Sequence, residues 1–149
     1  MSKIVGVEID MVVIDGIQAL EFYEKIFEIE RVEVTNFDRG ENEAIFSLYG
    51  ARFHLLDENQ DFQLIAPTED HPKTVWFNVM VPDIKETYMK ALDLGCKEIQ
   101  PITEMHEFGI ENAIFLDPFG YVWMLHQVYK EVSFEERVKY FEENKEKKQ

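Results

Sequence analysis

The sequence predicts an α+β domain in which two βαβββ modules form curled mixed sheets around a cavity, followed by a C-terminal helix. Three observations lead to this fold class. Strand-like and helical segments follow one another in the same order twice. Turn residues separate these segments, and the two halves repeat at a nearly constant distance. The 149 residues, 46% of them hydrophobic, are enough for one domain over residues 1–149 with its own core.

The first module is predicted over residues 4–58. It begins with a strand over residues 5–13, where small apolar and polar side chains alternate. Asp15-Gly16 leads into a helix, because apolar residues then recur at helical spacing. Three further strands are predicted over residues 31–35, 43–49 and 51–57, separated by turns at residues 38–42 and Tyr49-Gly50.

Residues 59–73, which contain Pro67 and Pro72, are interpreted as a linker to the second module, predicted over residues 74–128. A strand over residues 75–81 precedes a helix from Ile84 to Leu94, which Gly95 ends as a left-handed cap. Three strands are predicted after it, over residues 98–101, 111–116 and 121–128, with a turn at residues 117–120 before the last one.

A capping box, Ser133 with Glu136, predicts a C-terminal helix over residues 133–146. Phe134, Val138 and Phe141 form its apolar stripe. We expect this stripe to pack on the domain or on a second subunit. The glutamates on the opposite face argue against a membrane-bound helix.

The composition narrows the classes of partner. Lys and Arg number 15 against 30 Asp and Glu, so the net charge is −15. Such a charge repels nucleic acid and anionic membranes and attracts cations. The single cysteine, Cys96, excludes an intrachain disulfide and is expected to be a buried, inert thiol. No segment approaches the ~18 apolar residues of a membrane span, and a cytoplasmic protein is expected.

The two halves carry matching junctions. A shift of 68 residues places Val13-Ile14-Asp15 on Val81-Pro82-Asp83, and a shift of 70 places Gly50 on Gly120. The segments Asp15 to Tyr23 and Phe115 to Trp123 resemble motifs of the vicinal oxygen chelate superfamily, which contains glyoxalases, bleomycin resistance proteins and extradiol dioxygenases. Within it, the chain is most similar to the demethylubiquinone-methyltransferase-like, or PhnB-like, branch.

The resemblance implies metal ligands from the first and last strand of each module, which here are Glu8, His54, Trp76 and Met124. Trp76 has no lone pair to offer, and a shift of two residues would replace it only by Thr74. Met124 offers a soft thioether to metals that prefer harder ligands. We therefore expect no catalytic metal, with a divalent ion at Glu8 and His54 as the alternative.

Eight side chains are expected to converge on the cavity as ligand-binding residues: Glu8, Asp10, Arg52, His54, Trp76, Asn78, Met124 and His126. Two interpretations of them remain open. In the first, they form ion pairs and hydrogen bonds with one another and leave no group for a ligand, for instance Glu8 with Arg52 and Asp10 with His126. Otherwise they line a small-molecule pocket in which Trp76 is a stacking wall and the carboxylates anchor a cation.

The predicted function is binding of a small aromatic or cationic molecule without a metal. The alternative is a metal-dependent lyase, isomerase or dioxygenase that uses Glu8 and His54, completed by His126 or Asp10. A scaffold that acts through protein contacts is a third class, for which the sequence shows no motif. His71 and His106 are expected on the surface, with His106 in a loop suited to cover the cavity. The resemblance also implies a homodimer.

Overall fold

The computed structural model describes residues 4–145. These residues form two four-stranded mixed sheets and three helices, which confirms the predicted α+β fold. The elements in chain order are β1 (Ile9–Val13), α1 (Gly16–Ile26), β2 (Glu30–Val34), β3 (Glu43–Leu48), β4 (Ala51–Asp57), β5 (Trp76–Met80), α2 (Ile84–Asp93), β6 (Lys97–Met105), β7 (Ile110–Leu116), β8 (Val122–Val128) and α3 (Phe134–Asn144).

The chain divides into two compact units. The first contains the described residues up to Thr74 together with Asp117–Tyr121, and its strand order is β1-β4-β3-β2. The second contains Val75–Leu116 and the described residues from Val122, in the order β5-β8-β7-β6. In each sheet the first strand pairs parallel with the fourth, and the other pairs are antiparallel. The two units therefore repeat one topology.

The repeat extends to the hydrogen bonds that start each first helix. The Asp57 carboxylate accepts a bond from the backbone N–H of Gly16 at 2.6 Å, and the Gln127 side-chain oxygen accepts one from Ile84 at 2.9 Å. These pairs are related by the same shifts of 68 and 70 residues that match the junctions. In both units, the end of the last strand thus satisfies a backbone donor at the N-terminus of the helix.

The first strand is shorter than predicted. It begins at Ile9, while Val5 and Val7 lie outside it and are 85% and 86% exposed. The register that pairs Ile9 with Phe53 would place Val5 opposite Tyr49. Tyr49 belongs to the turn between β3 and β4 and has a positive φ of 48°, so Val5 has no strand to pair with. The alternation of side chains in the sequence therefore predicted a strand that begins four residues too early.

The sixth strand is longer than predicted, because it continues through Pro101. Proline lacks a backbone N–H, and the ladder with β7 is irregular between Gln100 and Thr103. This irregularity accommodates the proline within a strand of nine residues. The C-terminal helix begins after Ser133, whose hydroxyl accepts a bond from the N–H of Glu136, as predicted. Its predicted end at residue 146 lies outside the described residues.

The turn before β8, Asp117–Tyr121, packs in the first unit. Asp117 is completely buried and accepts a hydrogen bond from the Tyr23 hydroxyl at 2.6 Å. The ring of Phe119 lies 5.5 Å from that of Phe22. The Tyr121 hydroxyl donates to the Val12 carbonyl, and burial raises the pKa of Tyr121 to about 12. The sequence predicted the turn but not its place in the core of the first unit.

Candidate functional site

A polar cluster lies on one face of the first sheet, around His54. The parallel register of β1 and β4 places Asp10 beside His54, and Glu8 precedes β1 on the same face. The Nδ1 atom of His54 is 2.8 Å from Glu8 Oε1 and 3.3 Å from Asp10 Oδ1. Three of the predicted site residues therefore meet at one point of the first unit.

Two neighbours complete this cluster. Glu43 on β3 lies with Oε2 3.0 Å from His54 Nε2. Arg52 donates through Nε to Glu8 Oε2 at 2.6 Å, the pairing that the sequence had suggested. The hydrogen bond from Arg52 is the main reason why the pKa of Glu8 is lowered, so this carboxylate is ionised at neutral pH. Glu8, Asp10 and Glu43 each contribute a negative charge and Arg52 contributes a positive one. The groups around the imidazole therefore carry a net charge of −2.

Glu43 was not among the site residues predicted from the sequence, although one signal in the sequence indicates it. The Tyr49-Gly50 turn is a two-residue hairpin loop, which fixes the register of β3 against β4. In that register Ile45 lies opposite His54. Glu43 precedes Ile45 by two residues on β3 and therefore lies on the same face. A diagonal contact between Glu43 and His54 follows from this spacing.

The cluster has the donor atoms of a metal site. One ligand atom each from Glu8, Asp10 and His54 lie within 4.8 Å of one another. Carboxylate oxygen and imidazole nitrogen suit divalent ions such as manganese and zinc. In the first unit the residues present therefore fit a divalent ion, and Asp10 joins the two ligands that the sequence indicated.

The corresponding positions of the second unit do not fit a metal. Met124 packs against an apolar cluster of Ile114, Leu116 and Val122. Trp76 is half-exposed on the face of β5 that also carries Asn78. An indole offers no lone pair, and a thioether packed among aliphatic side chains is a poor ligand for hard ions.

Asn78 and His126 form the polar centre of the second sheet's open face. The Nδ1 atom of His126 makes a hydrogen bond with the Asn78 side-chain oxygen. Burial lowers the pKa of His126 and so favours the neutral ring. Asp10, for which the sequence had suggested His126 as partner, lies against His54 instead. The convergence of all eight residues on one cavity stays a prediction.

Asn78 and His126 line a groove of about 930 Å³ within the second unit. Its floor is the open face of the sheet, and its far wall is the beginning and middle of α3. Seven apolar side chains line it: Met80, Met105, Phe108, Ile110, Val128, Val132 and Phe141. The aromatic lining therefore comes from Phe108 and Phe141, whereas Trp76 lies outside it.

Helix α3 is held at the groove by an aromatic cluster. The Phe141 ring stacks on that of Phe108 at 5.4 Å between centroids, and the Tyr140 ring meets Phe108 edge-on at 5.6 Å. The Tyr140 hydroxyl donates to Glu107 at 3.1 Å. None of the residues of α3 is buried, so this cluster is its main anchor among the described residues.

The remaining histidines and the cysteine lie where the sequence placed them. His71 and His106 are exposed, and His106 forms a turn with Glu107 and Phe108 beside the groove. Cys96 is buried. None of the helices within residues 4–145 has both the length and the apolar character needed to cross a membrane.

The sequence and fold are similar to those of several known proteins. The uncharacterized protein Rv0887c of Mycobacterium tuberculosis is 27% identical over 130 residues, which are 85% of this chain and 76% of that protein. The fosfomycin resistance protein FosX from Listeria monocytogenes, solved with Mn(II) and sulfate, has a TM-score of 0.66 at 17% identity and covers 93% of this chain and 99% of its own.

A second solved structure comes from Bacillus cereus and carries the name PhnB, putative 3-demethylubiquinone-9 3-methyltransferase. Its TM-score is 0.62 at 18% identity, over 83% of this chain and 100% of its own. At these identities the likeness concerns the fold. The family model matches residues 7–125, which include every residue of the polar cluster and parts of both units. The chain therefore belongs to the Glyoxalase/Bleomycin resistance protein/Dioxygenase superfamily.

Proposed function

We propose that this chain binds a small organic molecule in the groove of its second unit and that this binding needs no metal. The groove itself carries the proposal. Its volume of about 930 Å³ lies within the range of ligand sites, and it combines apolar walls with a few polar groups. Trp76 and Met124, at the positions where the family resemblance implies ligands, do not supply metal-binding atoms of the required kind.

The fold of the relatives is compatible with this proposal. A second structure of FosX from Listeria monocytogenes, of a mutant form, contains Mn(II) and 1S,2S-dihydroxypropylphosphonic acid, a small organic molecule. The superfamily fold therefore accepts such a ligand in at least one member, whose structure also contains a metal.

The experiment compares two valine-to-tryptophan variants. Val128 and Val32 are both 49% exposed, but only Val128 lines the groove. Binding of Nile red, an uncharged dye that fluoresces in apolar surroundings, is measured by titration. We expect binding to the wild type and to Val32→Trp, and a loss of about tenfold or more in Val128→Trp, because the larger indole takes up space in the groove that the dye needs. Equal binding by all three proteins would contradict the proposal.

The polar cluster of the first unit favours a second candidate function, metal-dependent catalysis. Glu8, Asp10 and His54 would hold the divalent ion, which supplies Lewis-acid activation of a substrate oxygen when bound. The charge of −2 around the imidazole complements a divalent cation. Arg52 orients Glu8 and lowers its pKa through its hydrogen bond, and the ion would compete with that bond for the carboxylate.

Mn(II) binding tests the metal site on which the second candidate depends. Free Mn(II) is measured by electron paramagnetic resonance during titration of the wild type, His54→Ala and His71→Ala. We expect the first and third proteins to bind one ion per chain and His54→Ala to lose at least about tenfold in affinity, because a ligand is removed. Unchanged binding by His54→Ala would exclude the cluster as the metal site.

A further inference from the structure

The charge lining the groove differs sharply from the charge of the whole chain. The protein carries −15, which by itself favours cationic ligands. Four charged residues line the groove, Lys130, Glu131, Glu136 and Arg137, and their charges sum to zero. All four lie in the segment that leads into α3 or in α3 itself. The strands that form the floor contribute no charged side chain to the lining.

The floor offers one acceptor and one donor. Because the Asn78 oxygen accepts the bond from His126 Nδ1, the Nε2 atom of the neutral ring is left as an acceptor. The amide nitrogen of Asn78 is left as a donor. Between residues 4 and 145, neither of these two atoms has a hydrogen-bond partner, and burial lowers the pKa of His126, which keeps the ring in this acceptor form.

The third polar residue of the floor, Asn112, is already engaged. Its side-chain oxygen accepts a bond from Gln100 Nε2 at 2.7 Å, and its amide nitrogen donates to the Met105 sulfur at 3.5 Å. The open hydrogen-bonding capacity of the floor is therefore concentrated at Asn78 and His126. A bound cation would find no carboxylate on the floor, and burying an unpaired charge is costly.

We infer that the ligand of the groove is an uncharged molecule with an apolar, aromatic body and a hydroxyl or amide head group that Asn78 and His126 recognise. This inference rests on the proposed function and adds its ligand class. Phe108 and Phe141 provide the flat apolar surfaces for the body. The head group donates to His126 Nε2 and accepts from the Asn78 amide.

Four naphthalene probes separate charge from hydrogen bonding. They are 1-naphthol, 1-methylnaphthalene, the cation 1-naphthylmethylammonium and the anion 1-naphthoate. Each is titrated as a competitor of Nile red at neutral pH. We expect 1-naphthol to bind best, with the two ions weaker by about tenfold or more, because a charged head group placed at Asn78 and His126 has no charged side chain of the floor as its partner. If 1-naphthylmethylammonium binds as tightly as 1-naphthol, the inference is overturned.

The double variant Asn78→Leu/His126→Phe removes the head-group contacts and keeps the volume. We expect the affinity for 1-naphthol to fall about tenfold, to the level of 1-methylnaphthalene, since a hydrogen-bonded pair is lost. His71→Phe, at an exposed histidine of the first unit, is the matched control and should leave all affinities unchanged. An undiminished affinity of the double variant for 1-naphthol overturns the inference.

Two further results keep the test decisive. If the double variant fails to fold, Asn78→Asp replaces it, and we expect this added carboxylate to strengthen binding of the cation and weaken binding of 1-naphthol. Unchanged preferences in Asn78→Asp would overturn the inference.

The proposed function is judged separately. If Nile red binds to the wild type and Val128→Trp abolishes this binding, the proposed function is supported, whichever naphthalene binds best. If no probe and no dye binds, the proposed function and the inference fail together.

Discussion

Asp57 joins three separate backbone segments of the first unit through its carboxylate. It accepts hydrogen bonds from the N–H groups of Gly16 at 2.6 Å, Gly40 at 2.8 Å and Asn42 at 2.9 Å. The side chain is 2% exposed, so water does not replace a lost bond. The helix start, the β2–β3 loop and the end of β4 are thus held by one anionic acceptor.

We predict that Asp57→Asn destabilises the protein by about 2–3 kcal/mol. The amide keeps the size but turns one acceptor into a donor that faces backbone N–H groups, and buried unsatisfied groups carry a large penalty. Urea denaturation measures the free energy of unfolding. Asp38→Asn, at an exposed position of the same loop, is the control and should change it by less than about 0.5 kcal/mol. Equal effects of both variants would contradict this role.

A pH dependence is predicted for His126. Burial lowers its pKa in the folded protein below the ordinary 6.5, so the unfolded chain takes up a proton first as the pH falls. The neutral ring therefore contributes fully to the free energy of unfolding above about pH 6.5. This contribution is lost as the pH falls through the pKa that His126 has in the folded protein. We expect His126→Gln to flatten the fall of the unfolding free energy between about pH 7 and pH 5.

The same urea titrations on His71→Gln provide the control, because His71 is exposed. Its stability profile should follow that of the wild type over the whole range. A wild-type slope in the His126→Gln protein would mean that other groups cause the pH dependence.

Individual elements were predictable where a local signal determines them. Asp15 and Asp83 mark the starts of α1 and α2, and each accepts a bond from the N–H three residues on, as N-caps do. Strand limits were less predictable, since they depend on the partner strand. Val5 alternates like a strand residue but has no partner, and Pro101 interrupts the pattern of a strand that tolerates it through a bulge.

Helix α3 depends on few contacts and is predicted to detach easily. Phe141→Ala removes the ring that stacks on Phe108, an interaction of the order of 1 kcal/mol. We expect the rate of tryptic cleavage in the C-terminal segment to rise about fivefold, because local opening becomes easier. The melting temperature of the domain without α3 should change little.

Phe134→Ala is the matched control on the same helix. Phe134 is 67% exposed, compared with 58% for Phe141, and its ring contacts the Arg137 guanidinium rather than the aromatic cluster. Cleavage of this variant should remain close to the wild-type rate. Equal acceleration in both variants would show that the stacking of Phe141 on Phe108 does not control the opening.

For the whole molecule, the sequence predicted the repeat and part of the site. The matched shifts of 68 and 70 residues identify the two units because each junction uses the same residue types. The family resemblance implied Glu8 and His54 as a pair of ligands, and the structure brings the two side chains to 2.8 Å. The groove could not be predicted, since its far wall depends on the contact of Phe108 with Phe141 across a long stretch of chain.

Assembly into a homodimer remains a prediction at this scale. β1 and β5 lie at the edges of their sheets, and large apolar side chains such as Val75 and Trp76 are exposed beside β5. Edges and apolar surface of this kind favour association. Sedimentation equilibrium at low micromolar concentration should give twice 17.7 kDa.

The charge of −15 on each chain gives this prediction a salt dependence. Two such chains repel each other, and added salt screens the repulsion within about one Debye length. We therefore expect the dimer to tighten when NaCl is raised from about 0.05 to about 0.5 M. A mass of 17.7 kDa at both salt concentrations would contradict the prediction.

The turn Asp117–Tyr121 determines when the first unit can be completed during synthesis. Tyr23 leaves the ribosome long before its buried partner Asp117, which follows 94 residues later. The nascent first unit therefore lacks the acceptor for the Tyr23 hydroxyl and the ring that packs on Phe22 until translation has passed residue 121. A gene fragment that stops in the linker would encode a first unit without these contacts, and we expect that unit to be less stable alone than in the full chain.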